Sequence, residues 1–310
     1  MNAAAQWYDV LRKWFLLLPP FLSPLSYFID APFGRFSPAN SPDLPTSSIL
    51  LVDGIKSWIV MELVSPITFI TFFLFSPLNY LPNFHPHLSP LSLPSSQPPL
   101  FLALFFLTHY LNRAIISPLR TPSRSKAHIM VPLSAVGFNL INGFLMGTYL
   151  SSPEARFYLR DAFGSVRFWS GVGLGIVGFV GNVVHDEILF DIRRKAAAAA
   201  SASPSATSEK TSPQKEHYAI PHGYLYKYIS YPNYLCEWLE WLGFALAAAP
   251  LPYPLNPSSP PTIVIAPPWI FLLGEVLLMA PRALKGHRWY KEKFGERYPR
   301  ERRAVVPFLI

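Results

Sequence analysis

Apolar positions in this chain come in long blocks separated by short polar or proline-rich stretches. The blocks lack the strict alternation of a half-buried strand. They fall near residues 10–29, 57–78, 100–118, 131–150, 168–190, 230–250 and 262–281. Each approaches the ~20 apolar residues that carry a helix across a bilayer. Pro19, Pro20 and Pro24 interrupt the first block. Membrane helices tolerate such prolines because neighbouring groups re-satisfy the freed backbone. The pattern predicts an all-α, polytopic membrane protein of about seven transmembrane helices. Residues 1–167 hold the first four blocks and 168–310 the last three. The proline-rich stretch 79–99 reads as an extended connection. The low-complexity segment 196–215 reads as a disordered loop. No small-residue cleavage site follows the first apolar run, so it is expected to be retained as a helix.

Composition sharpens this picture. Hydrophobic residues make up 51% of the chain and charged residues 14%, against about 25% charged in a soluble domain. Mean hydropathy is +0.25. The single cysteine, Cys236, excludes an intrachain disulfide and a cysteine-rich zinc site, and no histidine spacing suggests another metal. The net charge of +8 raises nucleic acid as a partner, but its distribution argues for topology instead. With seven alternating spans, Arg12, Lys13, Arg156, Arg160 and Arg167 lie on one side and all other lysines and arginines on the opposite side. The positive-inside rule then places the C-terminus in the cytosol. No nucleic-acid module is present.

The remaining polar residues are selective in their positions. Ionisable groups inside a bilayer are costly and mark candidate sites. Glu62 sits in the second block, and Tyr110 and Arg113 sit at the end of the third. Tyr110 and Arg113 are three apart, close to one helical face. Snorkelling to the headgroups is the alternative for Arg113, and interfacial anchoring is the commoner case for a tyrosine such as Tyr110. Asn182, Asp186 and Arg193 follow one line along the fifth block and suit a phosphate-bearing ligand at the membrane surface. Asn233 and Glu237 open the sixth block, with Glu240 and Trp241 a turn further on. Arg282, His287 and Tyr290 follow the seventh, in a basic tail expected to be largely solvated. Gly173-Leu-Gly175-Ile-Val-Gly178 spells a dinucleotide fingerprint, but no strand precedes it. Gly171, Gly175, Gly178 and Gly181 instead form a small-residue stripe for close helix packing. The polar residues gather at the predicted cytosolic ends of their spans. That predicts one pocket open to the cytosolic side, polar at the rim and apolar within, for an anionic cofactor and a lipid-like substrate.

Several ordered pieces carry a resemblance. They are Asn182…Asp186…Arg193, Tyr218-Ala-Ile-Pro221, Asn233-Tyr-Leu-Cys-Glu237-Trp-Leu-Glu240-Trp241-Leu-Gly243, and His287-Arg-Trp-Tyr290…Phe294…Tyr298-Pro299…Arg303-Ala-Val-Val-Pro307-Phe308. Together they resemble the C-terminal domain of the steroid 5-alpha-reductases, the 3-oxo-5-alpha-steroid 4-dehydrogenases. Phe33-Gly34, Trp58…Glu62 and His109-Tyr110…Arg113 extend the likeness more thinly toward the N-terminus. The resemblance implies a seven-helix membrane fold, NADPH as cofactor, and hydride delivery to the β carbon of a 3-keto-Δ4 enone. It implies Glu62 and Tyr110 as catalytic donors to the keto oxygen. Asn182, Asp186, Arg193, Tyr218, Asn233, Glu237, Arg282 and Tyr290 would hold the cofactor, with Trp58 and Arg113 toward the substrate. Arg120 and Arg124 are further candidates for phosphate. The family's second glycine after the Ile-Pro element is Tyr224 here, beside Gly223. Cys236 replaces the glycine before Glu237, and Gly286 replaces a histidine of the tail. The family and the topology imply the endoplasmic reticulum, and a monomer is expected. The residues also leave open a reductase of another lipid double bond (polyprenol or long-chain enoyl thioester), a membrane methyltransferase of similar architecture, and an inactive lipid-binding protein.

Overall fold

Seven long helices form where the apolar blocks predict them, and their ends follow local chemistry. A computed structural model describes residues 3–37, 50–78, 97–201, 218–252 and 265–310. The long elements are α1 (Ala3–Ser26), α2 (Gly54–Phe75), α3 (Gln97–Leu111), α5 (Met130–Leu150), α7 (Val166–Ser201), α8 (Pro232–Ala248) and α9 (Pro267–Phe294). The short helices are α4 (Ser117–Arg120) and α6 (Pro153–Tyr158). Asp53 caps α2 by accepting from the backbone N–H groups of Ile55 at 2.9 Å and Lys56 at 2.8 Å. Prolines open α8 and α9, where a missing N–H leaves nothing unsatisfied. α3 passes through a π-helical turn, Asn112–Ile116, directly into α4.

By length and composition, five helices among the described residues can cross a membrane: Gly54–Phe75, Gln97–Arg120, Met130–Leu150, Val166–Ala199 and Pro267–Arg297. The other two expected spans are weaker. α8 has 17 residues and carries two buried glutamates, and α1 contains three prolines and the charged Asp9, Arg12 and Lys13.

Three expectations change. The low-complexity segment does not begin as a loop. α7 continues through its alanine run to Ser201, because alanine has the strongest helix propensity. The rest of that segment lies outside the described residues, as does 79–96, while Gln97–Pro99 form the first turn of α3. The fold is also not wholly α: β1 (Leu51–Val52) pairs antiparallel with β2 (Ala127–His128), tying the start of α2 to the start of α5. The basic tail, finally, is only partly solvated. Arg302 is 2% exposed and donates to the Pro221 carbonyl at 2.9 Å, and Ile229 bridges to Arg303.

Small residues set how closely the helices approach. A Cβ on Gly147 of α5 would lie 2.5 Å from the Phe69 carbonyl oxygen of α2. A Cβ on Gly171 of α7 would lie 2.6 Å from the Gly243 oxygen of α8. The expected glycine stripe therefore faces α8 and brings the two backbones into contact. The apolar core between the helices stacks Phe69 on Phe106 at 4.3 Å and sets Trp241 edge-on to Phe271 at 4.7 Å.

Candidate functional site

One cavity gathers residues from all seven long helices or the segments next to them. It encloses about 1200 Å³ of empty space, counting its open mouth. α7 and α9 contribute their C-terminal halves, and the segments following α1 and α3 line it too. α2, α5 and α8 contribute their N-terminal turns. The helices thus alternate in direction, as in an up-and-down bundle, and the polar ends that the sequence scatters over 230 positions meet at one end of it.

The π-helical turn places Arg113, as such turns often do at functional sites. The Arg113 guanidinium lies 3.4 Å from Glu62 Oε1 and 3.5 Å from Glu237 Oε2. Asn182 Nδ2 donates to Glu237 Oε2 at 3.3 Å and to the Asn233 carbonyl at 3.0 Å, and Asn233 Nδ2 donates to Asp186 Oδ1 at 2.9 Å. Six of the residues expected from sequence therefore form one chain across α2, the π turn, α7 and α8. Trp58 Nε1 donates to the Arg113 carbonyl at 3.2 Å, and the Arg124 guanidinium stacks 3.8 Å above the Trp58 ring. Arg193 reaches Thr121 Oγ1 at 3.3 Å, and Arg282 stacks 3.6 Å over Phe33. Tyr218 and Tyr290 complete the wall. Of the two further arginines, Arg124 lines the cavity, whereas Arg120 pairs with Glu187 at 3.0 Å.

Asn182 and Glu237 are buried behind the cavity lining, and Glu62 and Tyr110 do not form its surface either. Both are buried, Glu62 behind its contact with Arg113 and Tyr110 within the aromatic core. Tyr110 Oη accepts from Asn142 Nδ2 at 3.0 Å, and the same amide lies 3.2 Å from Ser65 Oγ. An accepted bond leaves the Tyr110 hydrogen available to donate and polarises it.

A second, lateral lobe of about 880 Å³ shares Phe33, Phe36, Trp58, Arg113, Tyr234 and Arg282 with the first. Its remaining wall includes Ile29, Leu278 and Met279, with Lys285 Nζ bonded to Asp30 at 2.7 Å. Glu275 of α9 also lines it. Sequence reasoning missed this residue, although a carboxyl within Trp-Ile-Phe-Leu-Leu-Gly-Glu275-Val is the same signal that singled out Glu62. It also missed the buried pair between His109 Nδ1 and Glu240 Oε1 at 2.8 Å, which accounts for a second carboxyl on α8.

Two of the three departures from the family pattern have local explanations. Cys236 fits because Gly181 stands opposite, where a Cβ would lie 2.7 Å from its sulfur. Gly286 fits because the Tyr231 ring fills the space a side chain would need, its Cε2 3.0 Å from an added Cβ. Tyr224 stands at φ 44°, in the left-handed region that a glycine adopts without penalty. Ser230 Oγ meets both His287 Nδ1 and Tyr298 Oη, at 2.5 and 2.6 Å, and anchors the tail beneath the cavity. Burial pushes the Tyr298 hydroxyl above the usual tyrosine value, and the Ser230 and Arg302 contacts pull it partly back.

The cavity's chemistry favours an anion. Arg124 Nη1 and Arg282 Nη1 are buried without a hydrogen-bond partner, and orphaned guanidinium donors on a cavity wall fit phosphate groups. Among the described residues no group of three or more metal-ligating side chains occurs.

Comparison with known proteins gives this site a family. The family model for 3-oxo-5-alpha-steroid 4-dehydrogenase matches residues 125–255 and 262–310. The chain belongs to the 3-oxo-5-alpha-steroid 4-dehydrogenase family. An uncharacterised protein of Schizosaccharomyces pombe is 37% identical over 93% of this chain and 94% of its own length. The steroid 5-alpha-reductase DET2 of Gossypium hirsutum is 29% identical over 97% and 96%. The 3-oxo-5-alpha-steroid 4-dehydrogenase 1 of Bos taurus is 30% identical over 69% of each chain. Membership places this integral membrane protein among the oxidoreductases that act on CH–CH groups, not among methyltransferases.

Proposed function

We propose that this protein is an NADPH-dependent reductase of the Δ4 double bond of a 3-keto steroid. The observation that carries the reading is the two-lobed cavity in a chain of this family. One lobe has buried, unpartnered guanidinium donors and the other is largely apolar. The residues present fit a dinucleotide phosphate. Arg124, Arg193 and Arg282 supply fixed positive charge, and stacking on Trp58 and Phe33 holds two of them in place. Asp186 and Asn233 offer a donor and acceptors on the wall beside Tyr218 and Tyr290, and the buried Asn182 and Glu237 behind them would hold that pair in place. When bound, the nicotinamide would supply the hydride.

The chain's own part is to bind, orient and polarise. Negative charge develops on the keto oxygen as hydride reaches the β carbon, and a donor waiting there stabilises that charge. Tyr110, whose hydroxyl accepts from Asn142, would be that donor, and Glu62 would join it only as the neutral acid, since a carboxylate paired with Arg113 accepts and cannot donate. Glu62 adjoins Met61 and Arg113 of the cavity wall and Tyr110 lies one turn before Arg113, so contact with the keto oxygen requires that wall to open as substrate enters. Trp58 and Arg113 border both lobes and would position the enone between cofactor and apolar pocket. We further assign seven spans, a cavity mouth and C-terminus on the cytosolic face, a monomer, and residence in the endoplasmic reticulum. The lysine and arginine distribution supports that orientation.

The test is NADPH oxidation by the detergent-purified chain with testosterone or progesterone, products identified by mass spectrometry. Wild type is expected to give the 5α-reduced steroid, and Glu62→Gln to lose kcat by about 10²-fold or more at unchanged NADPH affinity. NADPH binding without steroid reduction would move the substrate to another lipid enone. A folded protein that binds no NADPH would sink the reading.

A further inference from the structure

The lateral lobe contains a group that the proposed reaction does not use. Glu275 lies midway along α9, faces a cavity walled by Ile29, Phe33, Leu278 and Met279, and has no hydrogen-bond or ion-pair partner among the described residues. Its charged neighbours in the lobe are largely engaged elsewhere. Arg113 contacts Glu62 and Glu237, Arg282 stacks on Phe33, and Lys285 holds Asp30. A carboxyl without a partner in apolar surroundings is expensive, and such groups persist where a ligand completes them. The walls fit a hydrocarbon body, and the Glu275 carboxyl fits an oxygen function carried on it.

We propose that Glu275 is a specificity-determining residue that hydrogen-bonds an oxygen substituent of the lipid substrate in the lateral lobe. This rests on the reductase reading above and adds to it the basis of substrate choice. A carboxyl can accept from a hydroxyl, or, when protonated, donate to a ketone. Two steroids distinguish these sources. Testosterone carries the 3-keto group and a hydroxyl at the far end, whereas androst-4-en-3-one carries the 3-keto group alone.

The experiment measures KM and kcat for both steroids with wild type, Glu275→Gln, Glu275→Met and Glu275→Ala, and NADPH affinity for each. The Met and Ala variants are expected to raise KM about tenfold or more with kcat changed less than about threefold, the signature of lost uniform binding. Glu275→Gln, which keeps a donor and an acceptor, is expected to stay within about threefold of wild type. A rise for testosterone alone assigns the hydroxyl as the partner, and a rise for both steroids assigns the 3-keto oxygen. Either supports the proposal. Unchanged KM for both steroids in a Met or Ala variant that still binds NADPH overturns it while leaving the reductase reading intact. If Met disturbs packing, as loss of NADPH affinity would reveal, Ala carries the same test with a smaller side chain. A wild type that reduces neither steroid overturns the steroid substrate and this inference together, and NADPH binding by the same protein decides whether the reductase reading survives.

Discussion

Substituting Gly178 by alanine tests whether helix packing and cofactor binding are one property. A Cβ at this position would lie 2.6 Å from the Cys236 carbonyl oxygen and 2.7 Å from Glu240 Cα, both backbone atoms of α8. Ordinary contact begins near 3.4 Å, so α7 and α8 must separate by at least the difference, about 0.8 Å. Backbone cannot step aside as a flexible side chain can. One and two turns along α7, Asn182 and Asp186 reach across this same interface to Glu237 and Asn233 with bonds of 2.9 to 3.3 Å. Lengthened by that separation, these contacts approach or exceed 3.7 Å, beyond hydrogen-bonding distance. Overpacking of this kind costs about 1–3 kcal/mol. The expected outcome is a lower thermal midpoint in detergent and NADPH affinity weakened by about tenfold or more, the loss of one or two net hydrogen bonds. Gly173→Ala is the control, because an added Cβ there meets nothing within 4 Å. Thermal unfolding followed by tryptophan emission, with NADPH titrated by fluorescence, reads both quantities. Indistinguishable behaviour of the two alanine variants would refute the close-packing argument. Loss of stability without loss of NADPH affinity would separate the packing from the site.

Arg282→Met removes a guanidinium with a free buried donor and is expected to weaken NADPH binding by about 1.5–3 kcal/mol, with a smaller effect on steroid KM. Unchanged NADPH affinity by titration would exclude Arg282 from the phosphate site. Arg113→Met leaves Glu62 and Glu237 without their common counter-charge and is expected to cost about 3–5 kcal/mol of stability. A thermal midpoint equal to wild type would mean the pairs are too long to matter. Ser230→Ala orphans partners on His287 and Tyr298 and is expected to cost about 1–3 kcal/mol by loosening the tail, which limited proteolysis at the C-terminus would detect. Resistance equal to wild type would count against the anchoring role.

The blocks of apolar sequence were enough for the helices, because a membrane span is a local property: about 20 apolar residues suffice whatever surrounds them. The glycine stripe on α7 was legible for the same reason, since close approach needs small residues at helical spacing. Glu62, Arg113, Asn182, Asp186, Asn233 and Glu237 announced themselves as polar groups in apolar runs, and the structure joins them in one network. Glu275 carried the same signal and only the cavity gave it weight, because a lone carboxyl says nothing about whether a partner helix satisfies it. The continuation of α7 through alanine, the β1–β2 ribbon and the burial of Arg302 were not legible. The first was hidden by low-complexity composition, and the other two depend on residues far apart in the chain. Residue type and local spacing thus determined the helices, their alternation and the list of candidate groups. Tertiary structure alone decided which groups face the cavity and which stand behind it, as Tyr110 does. That depends on the rotation of each helix and the separation its contacts allow, and no local stretch of sequence encodes either.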